Sequence, residues 1–514
     1  MENPLERVGI TPEMIEAIVV TERDRERMHS PFPLTGRYGQ DTDPLRRITS
    51  EYEVTRRSFW VEVEYLISLG DELSNYTGQK RKVIPRPFTD SEKQALRRLY
   101  DDRENGLYSE ETFRLFKLTD DTIHHDVVAM ERVGAYKLSQ VGFDPAMIEA
   151  AFHFARTSND INSPVFCSMV NDYLQEIYIP LILRMGRLFL RKAREWGQDP
   201  FAGQTHGQYA VPTTLKKVMA NFSDGLRQVL EDLLPDGKSY RLQAKFSGPV
   251  GNECGLYGAY PDHNWDPFIE KFLASLGFDW AKMADQDEFN IGNMRLFHAM
   301  IRVNDLLEKY ASDFWDYCSR GVLIKTPKKT ESGSSSMVAK INPWRTEGGW
   351  EIFSDASSDL DRARSLGKYR RQGDLRRSMR RRLIAYPFGE IMVGVERLID
   401  DLSKYNPLPS QIQRELDEHP EMAAFYLQTV FRREGVADAY DRIKDLTMGR
   451  QISEADLHIA IDTLVMEGII EEDVGREVKE GMKPEKNIGK AREWSEEALE
   501  KAESFLDMLE EAYS

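Results

Sequence analysis

The chain has 514 residues, 41% apolar, 10% aromatic and 30% charged, so it can bury a large core and is neither fibrous nor disordered in composition. Its formal charge of −17, from 69 basic and 86 acidic side chains, argues against a surface that coats nucleic acid but leaves room for a local basic pocket. Cys167, Cys254 and Cys318 form no disulfide framework or metal knuckle, the first residues carry no signal-like pattern, and no apolar run reaches the ~20 residues of a membrane helix; a soluble, cytoplasmic protein is expected.

Helix-period patterns dominate, and the length suggests two to four domains. Residues 51–70 place apolar side chains at three- and four-residue spacings and stop at Gly70. Residues 91–155 hold further amphipathic segments, broken near Gly106 and at Gly142-Phe143-Asp144-Pro145, where a capping residue precedes a first-turn proline. Ser163 to Trp196 reads as one long helix, with the same cap-then-Pro opening at Ser163-Pro164 and a bend at Pro180. Long periodic stretches follow at 212–235, 266–282, 290–318 and 383–403. Between the last two, residues 326–350 are rich in Gly, Ser, Thr and Lys and have no period, the mark of a functional or mobile loop. After Pro407-Leu408-Pro409 the helices shorten, and the acidic tail from Lys486 reads as a solvated helix. The expected class is all-α: an N-terminal helical domain over 1–145, a central long-helix bundle over 146–403 and a C-terminal helical domain over 404–514.

Three segments carry chemistry. In the loop, Gly333 precedes Ser334, Ser335 and Ser336, a backbone that can fold tightly and offer N–H and O–H donors to an anion. Lys340 and Asn342 follow at a spacing that lets both reach the same carboxylate. In Gln204-Thr205-His206-Gly207-Gln208, the imidazole can donate a proton near neutral pH. Thr157, Ser158 and Asn159 put short hydroxyl and amide groups at a helix start, where free N–H groups and the dipole favour a carboxylate.

The run from Gly333 to Pro343, Gly-Ser-Ser-x-Met-x-x-Lys-x-Asn-Pro, resembles the signature loop of the fumarase/aspartase superfamily, with Val338 where that family usually has proline. The resemblance implies that Ser334 is the base that removes a Cβ proton, with Ser335 and Met337 beside the substrate. Lys340, Asn342 and loop N–H groups would hold the aci-carboxylate that forms. Thr205 to Gln208 resembles the superfamily's Thr-His element, which implies His206 as general acid, Glu347 as the carboxylate that orients it, and Thr205 and Gln208 as substrate contacts. Thr157 to Asn162 resembles its TSxD element.

The likeness sharpens to the adenylosuccinate lyases and spans almost the whole chain. Gly36-Arg37-Tyr38-Gly39 is similar to an element whose Arg and Tyr contact the nucleotide phosphate. His124-His125-Asp126-Val127 resembles one near the nucleotide, which singles out His125 and Asp126. Lys245 to Trp265 resembles a further block, with Ser247-Gly248 and Gly251-Asn252 near the substrate. Residues 362–382 hold nine arginines and one lysine. Within them, Gln372-Gly373-Asp374-Leu375, Ser378 and Arg382 resemble a phosphate-holding element, with Gly373 in place of its first arginine.

The family implies an all-α, three-domain fold and a homotetramer with a twenty-helix core, whose active sites draw on three subunits. It implies a nucleotide–succinate adduct as substrate, cleaved with release of fumarate, and no metal or organic cofactor. No nucleic acid or membrane partner is expected. Gly373, Val338 and Ala339 leave open a lyase of the same chemistry acting on a different N-substituted aspartate. A non-catalytic scaffold is disfavoured by the joint presence of Ser334, Lys340, Asn342, His206 and Glu347.

Overall fold

Long amphipathic helices account for the architecture of the computed structural model, which describes residues 10–101, 110–234, 240–288, 291–326, 336–337, 339–364 and 381–513. In the N-terminal region, helix α1 (Glu51–Ser74) buries Phe59, Val63, Leu66 and Leu73, and α2 (Asp126–Gln140) starts directly after His125. The central helices are α3 (Ser158–Tyr173), α4 (Ile179–Trp196), α5 (Leu215–Leu233), α6 (Ile291–Ser319), α7 (Trp344–Arg364) and α8 (Ala385–Lys404).

The long helix expected from Ser163 begins five residues earlier. Thr157 caps α3, its backbone N–H donating to the Asp160 carboxylate at 2.8 Å, and Pro164 lies inside the helix rather than at its start. A π-helical segment, Leu174–Tyr178, joins α3 to α4 just ahead of Pro180. Proline has no N–H to complete the ladder there, and the widened turn absorbs the misfit without ending the rod. At ~1.5 Å per residue, the rod from Ser158 to Trp196 is about 58 Å long.

The other helices are laid along this rod. α8 runs in the same direction: Tyr173 stacks on Phe388 at 3.7 Å, and Arg184 pairs with Glu396. Farther along, Lys192 Nζ donates to Tyr405 O at 3.3 Å. α7 runs back along α8, with Thr346 bonded to Asp401 and a Cβ at Gly394 excluded by Phe353. α5 crosses between α4 and α6 through Phe189, Phe222 and Tyr310.

The acidic tail is not a solvated helix. It forms α10 (Ala491–Tyr513), which buries Leu499, Ala502, Phe505, Leu506 and Leu509 in the main core and turns its carboxylates to Arg187 and Arg194. A separate apolar cluster, from Ala423 to Met482, belongs to the short helices between α9 (Pro409–Glu418) and this tail.

Strands are few and short. β1 (Pro200–Thr205) and β2 (Gln208–Thr214) form an antiparallel hairpin at the end of α4. β3 (Gln243–Ala244) pairs in parallel with β4 (Asp279–Trp280), and β5 (Leu323–Lys325) pairs antiparallel with β6 (Tyr405–Pro407). No described helix is long and apolar enough to cross a membrane.

Candidate functional site

One cleft, of about 340 Å³, opens where the starts of α2, α3 and α8 meet; His125, Asp126, Ser158, Asn159, Arg381 and Arg382 are on its wall. His125 caps α2, its Nδ1 accepting from the Val128 N–H at 3.3 Å, so a neutral ring carries its proton on Nε2. Arg382 donates to Asp126 Oδ2 at 2.8 Å. The structure brings five of the expected contacts, His125, Asp126, Ser158, Asn159 and Arg382, onto one surface.

What fixes this surface lies beneath it. Asp160, fully buried, takes Lys245 Nζ at 2.6 Å, the N–H groups of Ser247 and Gly248 at 3.0 and 3.2 Å, and the Thr157 N–H. Burial without such partners would cost several kcal/mol for either ion. Arg156 and Glu253 form a buried two-point pair at 3.0 and 2.5 Å, with the guanidinium 4.7 Å from the Phe246 ring. Gln286 ties the parts together: its Nε2 donates to Thr157 Oγ1, its carbonyl accepts from Asn159 Nδ2, and its Oε1 accepts from the Val250 N–H. Arg381 donates to Asp287 at 2.6 Å below the cleft, beside Glu288, whose carboxyl pKa is raised by burial and then by the Asp287 charge. Ala155, Val250 and Glu253 adopt left-handed backbone around the same core, a conformation that costs energy and gathers at functional sites. Asp160 is the acidic residue of the TSxD element, whereas Arg156, Gln286, Asp287 and Arg381 were not singled out by sequence. Their partners lie far along the chain, and no spacing signals them.

Thr205, His206 and Gln208 lie in the hairpin at the opposite end of the rod. Thr205 pairs with Gln208 across the hairpin, and His206-Gly207 form the two-residue turn with φ of +55° and +68°. Two positive φ values match the twist of a tight hairpin, and histidine tolerates them better than branched residues. The turn holds His206 in solvent. Tyr209 stacks on His419 at 3.7 Å and Arg320 donates to Ala202 O at 3.1 Å, which docks the hairpin on the segment around α9.

Lys340 is exposed, with its backbone N–H bonded to Met337 O at 3.0 Å, and Asn342 is half-buried just before α7. Glu347, in the first turn of α7, accepts from Trp315 Nε1 at 2.9 Å; among the described residues no hydrogen bond joins it to His206. Ser334, Ser335 and Ser378 lie outside the described residues, as do Val338 and Gly373. Arg37 is exposed, and the Tyr38 ring lies 4.8 Å from the Arg397 guanidinium. With the 58 Å rod between Thr157 and the hairpin, the cleft and His206 do not meet within one chain.

Comparison with known proteins finds relatives along most of the chain. Residues 36–353 match a family model described as lyase, and residues 369–487 match one described as adenylosuccinate lyase C-terminal. The chain is 29% identical over 462 residues to adenylosuccinate lyase of Escherichia coli strain K12, covering 89% of this chain and 96% of that one. It is 28% identical over 435 residues to adenylosuccinate lyase of Haemophilus influenzae, covering 84% and 91%. Among solved structures, 3-carboxy-cis,cis-muconate lactonizing enzyme from Pseudomonas putida superposes with a TM-score of 0.66 at 16% identity, covering 90% of this chain and 97% of that one. Fumarate lyase from Mesorhizobium sp. BNC1 gives 0.64 at 15% identity, covering 89% and 97%. At those identities the structural likeness bears on the fold alone.

Proposed function

Because this chain belongs to the lyase family, with the adenylosuccinate lyase C-terminal domain following the lyase region, we propose that it cleaves adenylosuccinate to AMP and fumarate, and SAICAR to AICAR and fumarate. The observation that carries the reading is the reach of the lyase match, which takes in Arg37-Tyr38, His125, Asp126, Ser158 and Asn159 of the cleft, His206 and the serine loop in one span, while Arg381 and Arg382 fall in the second match.

In this reading Ser334 takes the Cβ proton of the succinyl group, and the electron pair passes into the neighbouring carboxylate, where Lys340 and Asn342 stabilise the charge. The pair then returns to form the Cα=Cβ bond as the Cα–N bond breaks. His206 delivers a proton to the departing nitrogen, with Glu347 orienting the ring. His125, Asp126, Ser158, Asn159, Ser378 and Arg382 line the rest of the substrate. The 58 Å separation within one chain supports a site assembled from several copies, a homotetramer in which the hairpin of one subunit reaches the cleft of another. The three-domain division at 145 and 404 and a cytoplasmic setting belong to the same reading.

Loss of adenylosuccinate absorbance together with fumarate release tests it. Fumarate release from other N-substituted aspartates but not from adenylosuccinate would favour a changed leaving group, the reading that Gly373, Val338 and Ala339 support.

A further inference from the structure

Arg397, in the second half of α8, is half-buried and has an unusual set of neighbours. Its guanidinium carbon lies 4.8 Å from the Tyr38 ring centroid and 5.9 Å from that of Trp344. Aromatic faces hold a cation in place without accepting its N–H groups in ordinary hydrogen bonds. The carboxylates nearest to it on α8 are engaged elsewhere: Glu396 with Arg184, and Asp400 with Arg345 at 2.9 Å and Lys404 at 2.7 Å. Among the described residues Arg397 makes no hydrogen bond or ion pair. A planar fork of five donors, reached by solvent and without an acceptor among the described residues, is available to an anion.

The neighbouring helix is shaped around this guanidinium. Gly348 lies inside α7, where glycine is a poorer helix former than alanine, and a Cβ there would collide with Arg397 Nη1. Trp344 and Gly348 are one turn apart on the same face, so the tryptophan supplies one wall of a notch and the glycine clears its floor. Trp344 directly follows Asn342-Pro343, where the serine loop rejoins the bundle. Tyr38 supplies the other ring, from the turns that precede α1.

The geometry points to Arg397 as an oxyanion-binding residue, gripping a phosphate or carboxylate of the substrate from between the Tyr38 and Trp344 rings. The inference rests on the lyase reading and extends it: Tyr38 belongs to a motif behind that reading, whereas Arg397, Gly348 and Trp344 do not. It supplies a guanidinium to a chain whose phosphate element has Gly373 at an arginine position.

The test uses the full-length protein, first confirmed to release fumarate from adenylosuccinate. Affinities for AMP, adenosine and fumarate are then measured by calorimetry for the wild type, Arg397→Met, Arg397→Lys and Gly348→Ala, with Tm recorded for each. Arg397→Met should weaken AMP by about ten-fold or more, as expected for a charge-assisted contact, with adenosine and fumarate unchanged if the anion is the phosphate. The opposite pattern, weakened fumarate and unchanged AMP, would assign the carboxylate. Arg397→Lys should recover only part of the loss, since an ammonium lacks the fork. Gly348→Ala keeps the arginine but fills its notch, and should weaken the same ligand with Tm unchanged or raised, an outcome general destabilisation does not produce. Unaltered affinities for both AMP and fumarate in Arg397→Met would overturn the inference. A wild type that releases no fumarate would instead overturn the lyase reading.

Discussion

The cleft at one end of the long helices and the hairpin at the other hold similar polar side chains but partner them in opposite ways. In the cleft, Asp160 receives four donors, and Arg156 and Arg381 each face a buried carboxylate. At the hairpin end, His206, Lys340 and Glu347 are all exposed. A fixed polar wall needs its groups satisfied internally, since an unpaired buried ion is costly. Groups that must approach a substrate held on another surface have to stay open until that surface arrives. One end is thus a polar wall satisfied from within, and the other leaves His206, Lys340 and Glu347 open to solvent.

The contrast is broken most directly at His206. His206→Ala should lower kcat by about 10²–10⁴, the usual worth of a positioned acid, with Tm unchanged because the ring is in solvent; Ser334→Ala should lower kcat similarly with substrate affinity largely kept. Steady-state kinetics beside a thermal melt decide this, and an unchanged kcat in either variant removes that residue from its assigned role.

At the cleft the expected effect is on stability. Lys245→Met leaves the Asp160 carboxylate buried without its ion partner and should cost about 3–5 kcal/mol in urea unfolding, whereas replacing both by apolar residues of similar volume should recover much of it. A single-variant loss below about 1 kcal/mol would mean that the cleft is no better fixed than the hairpin. Arg382→Met probes the boundary between the two behaviours. Its pair with Asp126 is about half exposed, so stability should change by less than about 1 kcal/mol, while KM rises about ten-fold if it contacts the substrate anion.

The smallest effect concerns Glu390, on the buried length of α8 between the two ends. Its carboxyl is pushed up to about 7 from an ordinary 4.5, first by burial and then by Asp359 and Asp355. Between those values the folded protein keeps a proton that the unfolded chain has lost, so this group's contribution to stability falls as pH rises from 4.5 to 7. Glu390→Gln should therefore raise Tm at pH 8 relative to the wild type and leave it nearly unchanged at pH 4.5. An equal shift at both values would show that packing, not titration, is responsible.

Much of the helical plan was legible because apolar periodicity is local. The start of α3 was misplaced because Ser163-Pro164 imitates a helix opening, whereas Thr157 with Asp160 supplies the actual cap. The tail's stripe of Leu499, Ala502, Phe505, Leu506 and Leu509 is helical in spacing, but its acidic background concealed it. The hairpin carrying His206 escaped notice because a bulge between Ala202 and Gln204 interrupts the alternation of β1. In the site, short motifs pointed to His125, Asp126, Ser158, Asn159 and Arg382 on the cleft wall. They did not identify Lys245 as the partner of Asp160, 85 residues away, because a buried pair leaves no periodic trace.

The tail helix has a consequence for how the chain is made. Arg187 and Glu510, bonded through α4 and α10, are 323 residues apart. At about 5–20 residues per second, α4 leaves the ribosome roughly 15–65 seconds before the helix that covers one of its faces. Throughout that interval the apolar groove between α4 and α5 waits open, and a nascent chain stalled before Ala491 would display it to chaperones. A helix made long after the ones it covers therefore closes this face of the bundle.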